Sequence, residues 1–330
     1  HGYATAPTTA FFPLYPMLIG AVAFLLGGAH QLLAALLVSN LAVLGAFFGL
    51  GLLAAGEDGT EESVRRTIRV AAAFPFAFFL TAAYSESLFL ALAVFALVFA
   101  RRSRWYGAAL CAFLAGLTRS AGVVLIAPLL WEYGSQHRWW RRETWSESGA
   151  WRQALTLQTI REVAALAGAV PLAIGLYLVF LWRRFGDPFI FLKVEDAVWH
   201  RQSWPLWRTI PTAVAYPFTQ PPFSFEQASA FIDLGIVLVC LLLIVAMVRR
   251  LPFSLTLYTI CVVYFAIATP AAWFNYIVSA RRYVLPAAPI YLLLGRWSAR
   301  RPWLDFLLVS GGFLLQGIFA YAFLHGDWAG

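Results

Sequence analysis

The stretch Leu32–Ala55 reads LLAALLVSNLAVLGAFFGLGLLAA and contains no charged residue. A helix needs about 20 consecutive apolar residues to cross the hydrocarbon core of a bilayer, so this run is long enough to span one. Four further runs are free of charge: 163–181, 234–248, 251–280 and 306–325. None shows the period of two that a membrane β-barrel requires, and only helices and closed barrels satisfy the backbone in lipid. The sequence therefore predicts an all-α polytopic integral membrane protein.

Composition and charge agree with a membrane protein. The 330 residues are 61% hydrophobic and 12% charged, whereas soluble domains average about 45–50% apolar and about 25% charged residues. The net charge of +8 does not indicate nucleic-acid binding, because the charges lie in short loops between apolar runs. Loops rich in Lys and Arg face the cytoplasm. Sixteen of the 24 basic residues fall in the segments 56–69, 101–104, 134–162, 249–250 and 296–301, which we therefore predict to share the inner side.

Arg119 is a lone cation in the apolar stretch 105–131. In a single span it would lie at the bilayer centre, where a charged side chain is costly. We therefore predict two short helices that meet at residues 117–122 and place Arg119 on the outer surface. Its partner is then either an anion that arrives at the membrane surface or, in a purely structural role, the carboxylate of Glu86 or Asp187.

Other segments predicted on the outer side are rich in aromatic and polar residues. The sequence FFPLYP at 11–16 opens a short apolar stretch that ends at Gly27-Gly28. Proline suits the start of a helix and not its interior, so we predict an interfacial or re-entrant helix from near Pro16; a simple aromatic belt is the alternative. Ser85 is placed to cap a following helix whose first turn contains Glu86.

The longest outer loop follows Asp187. Its spacing predicts an amphipathic surface helix between Pro188 and Ser203. The apolar face of that helix would comprise Ile190, Phe191, Val194 and Val198. Trp199 on this helix could stack on a sugar or anchor the segment at the interface.

Arg281 and Arg282 lie just outside another apolar run. Arginine is well suited to phosphate, which it grips through two parallel hydrogen bonds. A lipid phosphate that carries a sugar would need such a surface. Arginines would neutralise the phosphate leaving group, aromatic rings would face the sugar, and a carboxylate would take the proton of the acceptor hydroxyl.

Cysteine and histidine give no sign of a metal or a tightly bound cofactor. Cys111, Cys240 and Cys261 lie in apolar runs without a CxxC spacing, and the histidines are scattered. We therefore predict neither a disulfide framework nor a metal site.

Several blocks along nearly the whole chain resemble one family, the second GPI mannosyltransferase family (phosphatidylinositol-glycan class V) and its bacterial homologues in the GT-C superfamily. The similar blocks are AFFPLYP at 10–16, FP at 74–75, AYSESLF at 83–89, LTR at 117–119, FGDP at 185–188 with Trp199 and Arg201 downstream, SARRY at 279–283, and Trp328. The combination is specific, although each block alone is weak.

The resemblance implies a single GT-C-like domain over 1–330, a bundle of about ten helices of which some are short or re-entrant. It implies an inverting transfer of a mannosyl or similar hexosyl group from a polyprenyl-phosphate donor to an acceptor on the outer face. The family's catalytic acid would lie upstream of His1, so the chain as given would lack a first helix and its catalytic loop. Glu86 and Asp187 are the internal candidates for the base.

The predicted site follows from these features. We expect Arg119, Arg201 and Arg282 to bind the donor phosphate. The substrate pocket would comprise Tyr15, Tyr84, Glu86, Asp187 and Trp199. Partners would be the lipid-linked donor, a glycan or glycolipid acceptor and membrane lipids, in the bacterial cytoplasmic membrane or, in a eukaryote, the endoplasmic reticulum. A lipid-linked-sugar transporter or flippase, which would use the same arginines without chemistry, is the alternative.

Overall fold

A computed structural model describes residues 6–140, 156–270, 277 and 279–326. The parts of the motifs and loops that fall at 1–5, 141–155, 271–276, 278 and 327–330, among them His1 and Trp328, lie outside the described residues. The helices are, in chain order, α1 (Leu14–Leu25), α2 (Gln31–Asp58), α3 (Glu61–Ala72), α4 (Phe78–Thr81), α5 (Glu86–Arg101), α6 (Trp105–Thr118), α7 (Ile126–Gln136), α8 (Leu157–Phe185), α9 (Ile190–Trp199), α10 (Leu206–Thr219), α11 (Phe225–Met247), α12 (Phe253–Ala268), α13 (Ala280–Tyr283), α14 (Ala288–Ala299) and α15 (Pro302–Leu324).

Four helices, α2, α8, α11 and α15, are long and apolar enough to cross a membrane. They match four of the five charge-free runs, and the described residues form no strand. Large apolar side chains on these helices remain exposed, including Leu242 and Val245 of α11 and Leu314 of α15. Because soluble proteins rarely leave contiguous patches of this kind uncovered, these surfaces face lipid. The predicted fold class, a polytopic bundle of helices, is confirmed.

Helix ends follow local chemistry. Gly59 ends α2 in the left-handed conformation (φ 66°), which glycine adopts at little cost. Thr60 then begins α3 by accepting a hydrogen bond from the Ser63 amide. The charge-free run 251–280 is not one helix, because α12 ends at Ala268. Pro270 disfavours helical backbone at the residue before it, which explains the early end.

The basic segments gather at one end of the bundle, which we call the basic end. Arg101 at the end of α5 pairs with Glu57 of α2 (2.6 Å) and with Glu132 of α7 (2.8 Å). Arg66 of α3 pairs with Asp305 of α15 (2.8 Å). Arg296 also donates to the carbonyl of Arg250 (2.7 Å). The prediction that these segments share one side is confirmed for their described residues.

Arg119 lies at a break between two short helices, as predicted. Helix α6 ends at Thr118, a 3-10 turn covers Ser120–Leu125, and α7 begins at Ile126. The turn lies against α6 so closely that a Cβ on Gly122 would come within 2.7 Å of the Gly116 Cα atom. This backbone contact fixes Arg119 at the end of the bundle opposite the basic end, which we call the pocket end.

We expect Gly122→Ala to lower the free energy of unfolding by about 1–3 kcal/mol, the usual cost of overpacking. The added methyl meets backbone atoms, which yield less readily than a flexible side chain. Thermal unfolding in detergent measures the effect. Gly168→Ala in α8 is the matched control, because nothing lies within 4 Å of its Cβ position. Equal stability of the two variants would contradict a tight turn at Gly122.

Two predicted local helices, α1 and α9, form where the sequence placed them. Helix α1 begins at Leu14, two residues before Pro16, and ends before Gly27 and Gly28, which both have φ 86°. Helix α9 lies between Pro188 and Ser203 as predicted, and it ends at Trp199, where His200 turns left-handed (φ 53°). On α9, Phe191 and Val194 are buried as predicted, whereas Val198 is 47% exposed.

Candidate functional site

Glu86 is the centre of a charged cluster at the pocket end. It is the first residue of α5 and is 3% exposed. Its Oε1 atom pairs with Arg119 Nη1 at 2.6 Å and with Arg282 Nε at 3.2 Å. A carboxylate in the first helical turn is also favoured by the positive end of the helix dipole. One acid therefore holds two arginines from distant parts of the sequence.

Ser85 has a different role from the predicted helix cap. It occupies the N-cap position of α5 but makes no capping hydrogen bond. Its Oγ atom instead accepts a hydrogen bond from Arg119 Nη1 at 3.3 Å. The Ser85 backbone is in the αR region and not in the extended region that a capping serine usually adopts. Ser85 and Glu86 together orient Arg119.

Three guanidinium groups surround the ring of Tyr283. The Cζ atoms of Arg201, Arg282 and Arg119 lie 4.6, 5.3 and 5.4 Å from the ring centroid. Attraction between a cation and an aromatic face stabilises such contacts within about 6 Å. Arg201 is held in addition by a hydrogen bond from Nη1 to the carbonyl of Thr269 (2.9 Å). The three arginines predicted to bind phosphate are thus brought together around one ring.

The neighbouring Arg281 has a different environment. It is 2% exposed, and its Nε and Nη2 atoms each lie 3.0 Å from a carboxylate oxygen of Asp233 in α11. The Arg281 amide also donates to Asp233 Oδ1 (3.0 Å). Ser279 precedes this turn with φ 65°, in the left-handed region. The buried pair anchors α13, so that the next residue, Arg282, reaches Glu86.

These groups line a pocket of about 340 Å³, including its open mouth. The lining combines Glu86, Arg119, Arg282 and Tyr283 with apolar residues: Phe89, Ala121, Val124, Val262, Phe265 and Pro286. The second oxygen of Glu86, Oε2, is buried and has no hydrogen-bond partner among the described residues. The pocket therefore presents cations and one unused acceptor atom within an apolar wall.

Tyr15 and Tyr84 lie next to the charged cluster. The Tyr15 hydroxyl is 2.7 Å from Ser39 Oγ, which donates to the carbonyl of Tyr84 (3.1 Å). The guanidinium of Arg282 lies 5.5 Å from the centroid of the Tyr84 ring. Both tyrosines were predicted to line the substrate pocket. They lie next to the charged cluster, but neither is among the residues that line the observed pocket.

Asp187 lies away from the cluster. Its carboxylate accepts hydrogen bonds from Lys193 Nζ (2.6 Å) and from the Phe189 amide (2.9 Å). The lysine hydrogen bond lowers the pKa of the Asp187 carboxyl below its usual value. The structure therefore does not bring this predicted pocket residue to the arginines. The side chain of Trp199, also predicted in the pocket, lies outside what the structure describes.

Glu195 is the pocket-end acid that the sequence did not single out. It is partly buried on α9. Burial raises the pKa of the Glu195 carboxyl above its usual value, and the charges of Arg201, Arg119 and Arg282 oppose that shift. The sequence feature that could have identified Glu195 was its position beside Val194, on the buried side of a predicted amphipathic helix. No group of three or more His, Cys, Asp or Glu side chains in the described ranges could hold a metal ion.

The fold is similar to that of a solved membrane protein. It matches the crystal structure of ArnT from Cupriavidus metallidurans bound to undecaprenyl phosphate, with a TM-score of 0.51 and 17% sequence identity. The match covers 87% of this chain and 50% of the ArnT chain, so this chain spans about half the length of that protein. No protein-family model and no curated protein sequence matches the chain. The likeness supports the predicted polytopic arrangement of helices.

Proposed function

We propose that this protein is a membrane glycosyltransferase that takes its sugar from a polyprenyl-phosphate donor. The main observation in support of this proposal is the group of three guanidiniums around Tyr283 at the pocket end. In this proposal Arg119, Arg201 and Arg282 bind the donor phosphate. The undecaprenyl phosphate in the ArnT crystal structure supports a lipid phosphate as the ligand of a fold of this kind.

Charge and geometry favour phosphate as the ligand. Among the described residues Glu86 pairs directly with Arg119 and Arg282, so one carboxylate faces two guanidiniums. Arginine forks match phosphate oxygens and keep their charge at every physiological pH. Glycosyl transfer releases a phosphate monoester, which carries a charge of about −1.5 to −2 at pH 7. A cationic pocket therefore stabilises the leaving group more than the donor, as catalysis requires.

The proposed donor sugar, stereochemistry and acceptor rest on the sequence motifs. The blocks FFPLYP, YSES and FGDP support a mannosyl or similar hexosyl donor, an inverting reaction and a glycan or glycolipid acceptor on the outer face of the membrane. Residues 10–16 and 83–89 lie close together in the structure through the hydrogen bonds of Ser39 to Tyr15 and Tyr84. This proximity supports a shared role at the pocket end.

The test measures transfer and binding with the full-length protein in proteoliposomes. Radiolabelled polyprenyl-phosphate mannose and glucose are supplied with extracted membrane glycolipids as acceptors. Transfer of label, or its release by water, supports the proposal and identifies the sugar. Binding of undecaprenyl phosphate without any release or transfer would contradict it and favour a transporter.

We expect Arg119→Ala to weaken the binding of undecaprenyl phosphate by roughly tenfold to a hundredfold. A hydrogen bond to a charged group contributes about 1.5–3 kcal/mol, and each 1.4 kcal/mol is about tenfold in affinity. Arg119→Lys should recover only part of the affinity, because lysine restores the charge without the two-pronged geometry. Affinity and thermal stability are measured on the same purified variants.

Arg183→Ala is the matched control, because Arg183 is an exposed arginine at the same end of the bundle. It should bind undecaprenyl phosphate like the native protein. Arg119→Ala also removes an ion pair with Glu86, so some loss of stability is expected. Normal affinity in a destabilised Arg119→Ala protein would mean that this arginine only holds the bundle together.

A further inference from the structure

The two oxygens of the Glu86 carboxylate have different surroundings. Oε1 pairs with Arg119 Nη1 at 2.6 Å and with Arg282 Nε at 3.2 Å. Oε2 is buried and has no hydrogen-bond partner among the described residues. Glu86 is 3% exposed and lines the pocket together with both arginines. One oxygen of this acid therefore holds the guanidiniums, and the other is left to accept a hydrogen bond from a ligand.

An unpaired oxygen distinguishes Glu86 from most buried acids of the chain. Asp233, Glu132 and Glu162 are also buried, and both carboxylate oxygens of each are hydrogen-bonded. Asp305 shares the unpaired oxygen with Glu86, but it does not line the pocket. An ionised carboxylate only accepts hydrogen bonds, and a buried acceptor without a donor is costly. The pocket is therefore built to receive a donor group at Glu86.

The unpaired oxygen lies next to the groups that bind phosphate in the function proposed above, on which this inference rests. Oε1 contacts the guanidiniums of Arg119 and Arg282 directly, and Oε2 is bonded to the same carbon as Oε1. In a polyprenyl-phosphate hexose the phosphate is attached to the anomeric carbon. The hydroxyl nearest to that phosphate is the 2-hydroxyl, on the adjacent carbon of the ring. A phosphate held by the two arginines therefore brings the 2-hydroxyl towards Glu86.

We propose that Glu86 Oε2 accepts a hydrogen bond from the 2-hydroxyl of the donor sugar. Glu86 is then a specificity-determining residue with two functions. Its Oε1 atom orients the arginines that bind the phosphate, and its Oε2 atom recognises the sugar that this phosphate carries. Phe89 and Phe265 in the same lining offer apolar surfaces to the C–H groups of the sugar ring.

This hydrogen bond assists turnover as well as binding. The bond between the anomeric carbon and the phosphate oxygen breaks with its electron pair on the phosphate, so positive charge develops on the sugar. Hydrogen bonds to the 2-hydroxyl strengthen in transition states of this kind, and a negative carboxylate beside the sugar stabilises the charge. Glu86 takes no proton in this role. The group that activates the acceptor hydroxyl is therefore a different one.

Donors that lack one hydroxyl test this assignment in the native full-length protein. Dissociation constants are measured in proteoliposomes, without acceptor, for undecaprenyl-phosphate mannose and glucose, for the 2-deoxy donor that both share, and for their 6-deoxy forms. The 2-deoxy donor should bind about tenfold to a hundredfold more weakly than the tighter parent, the usual loss for a hydrogen bond to a charged group. Its kcat/KM should fall by at least as much, because the hydrogen bond strengthens in the transition state.

Glu86→Gln assigns the loss to this residue. An amide replaces the charged acceptor, so the loss in affinity for the 2-deoxy donor should shrink to about tenfold or less. Any loss for the 6-deoxy donor should be equal in the native protein and in Glu86→Gln, because the 6-hydroxyl is remote from the phosphate. Glu132→Gln is the control for lowered stability, since Glu132 is buried and paired at the basic end. It should show the native loss for the 2-deoxy donor.

The comparison of donors in the native protein decides the assignment even if Glu86→Gln does not fold. Equal affinity of the native protein for the tighter parent and the 2-deoxy donor overturns it. An equal 2-deoxy loss in Glu86→Gln also overturns it and places the hydroxyl contact on another residue. Binding of a parent donor without any release or transfer of its sugar overturns the proposed function instead, while the dissociation constants still decide the role of Glu86.

Discussion

Asp233→Asn is expected to produce a severe loss of stability, about 3–5 kcal/mol in the free energy of unfolding. Removing one partner of a buried ion pair leaves the other charge uncompensated, which explains a penalty of this size. Arg281 is 2% exposed, and its guanidinium donates one hydrogen bond to each carboxylate oxygen of Asp233. Asparagine keeps the size of the side chain, so the effect reports charge and not a cavity. Thermal unfolding and monodispersity in detergent measure it.

Two companion variants make the Asp233 result specific. Asp187→Asn removes the ion pair with the exposed Lys193 of α9, and it should change stability little because solvent screens such pairs. The double change Asp233→Leu with Arg281→Met should recover part of the loss, since an apolar pair can replace a buried ionic one. Native stability in Asp233→Asn would show that Arg281 does not depend on this acid.

Glu86→Gln is expected to destabilise the ligand-free protein by about 3–5 kcal/mol and to increase its response to lipid phosphate. Glu86 is buried and neutralises Arg119 and Arg282, so its loss leaves two cations close together in an apolar wall. Undecaprenyl phosphate supplies a replacement anion. Because a ligand that binds only the folded state raises the unfolding temperature with its concentration, the rise should be larger in Glu86→Gln than in the native protein.

Glu132→Gln is the control for this second result. Glu132 is also buried and paired, with Arg101 at 2.8 Å, but it lies at the basic end of the bundle. Its loss should lower stability without any change in the response to undecaprenyl phosphate. An equal response in Glu86→Gln and the native protein would show that the lipid phosphate does not approach Arg119 and Arg282.

Hydrophobic length was sufficient to predict most of the fold. Runs such as Leu32–Ala55 have one stable solution in lipid, a helix, and the clustering of basic loops predicted which helix ends lie together. The run 251–280 was misleading because charge was the only criterion applied to it, whereas Pro270 ends α12 through backbone sterics. A hydropathy pattern does not report such local breaks.

The site was only partly accessible to sequence reasoning. Arg119 was identifiable because an isolated charge in an apolar stretch is costly and needs a partner, and Glu86 is that partner in the structure. The different environments of Arg281 and Arg282 were not predictable, because they depend on Asp233 from a distant helix. Glu195 lies on the predicted surface helix, where an acid is ordinary until the tertiary structure brings arginines close to it.

The pairing of Glu86 with two arginines has a consequence for biosynthesis. A ribosome adds about 5–20 residues per second, so Arg119 follows Glu86 within seconds, whereas Arg282 follows roughly two hundred residues later, after about 10–40 s. During that interval the nascent hairpin of α5 and α6 already contains an acid and its first counter-charge. A paired charge is less costly in a bilayer than an unpaired one, so we expect this hairpin to enter the bilayer before Arg282 has been translated.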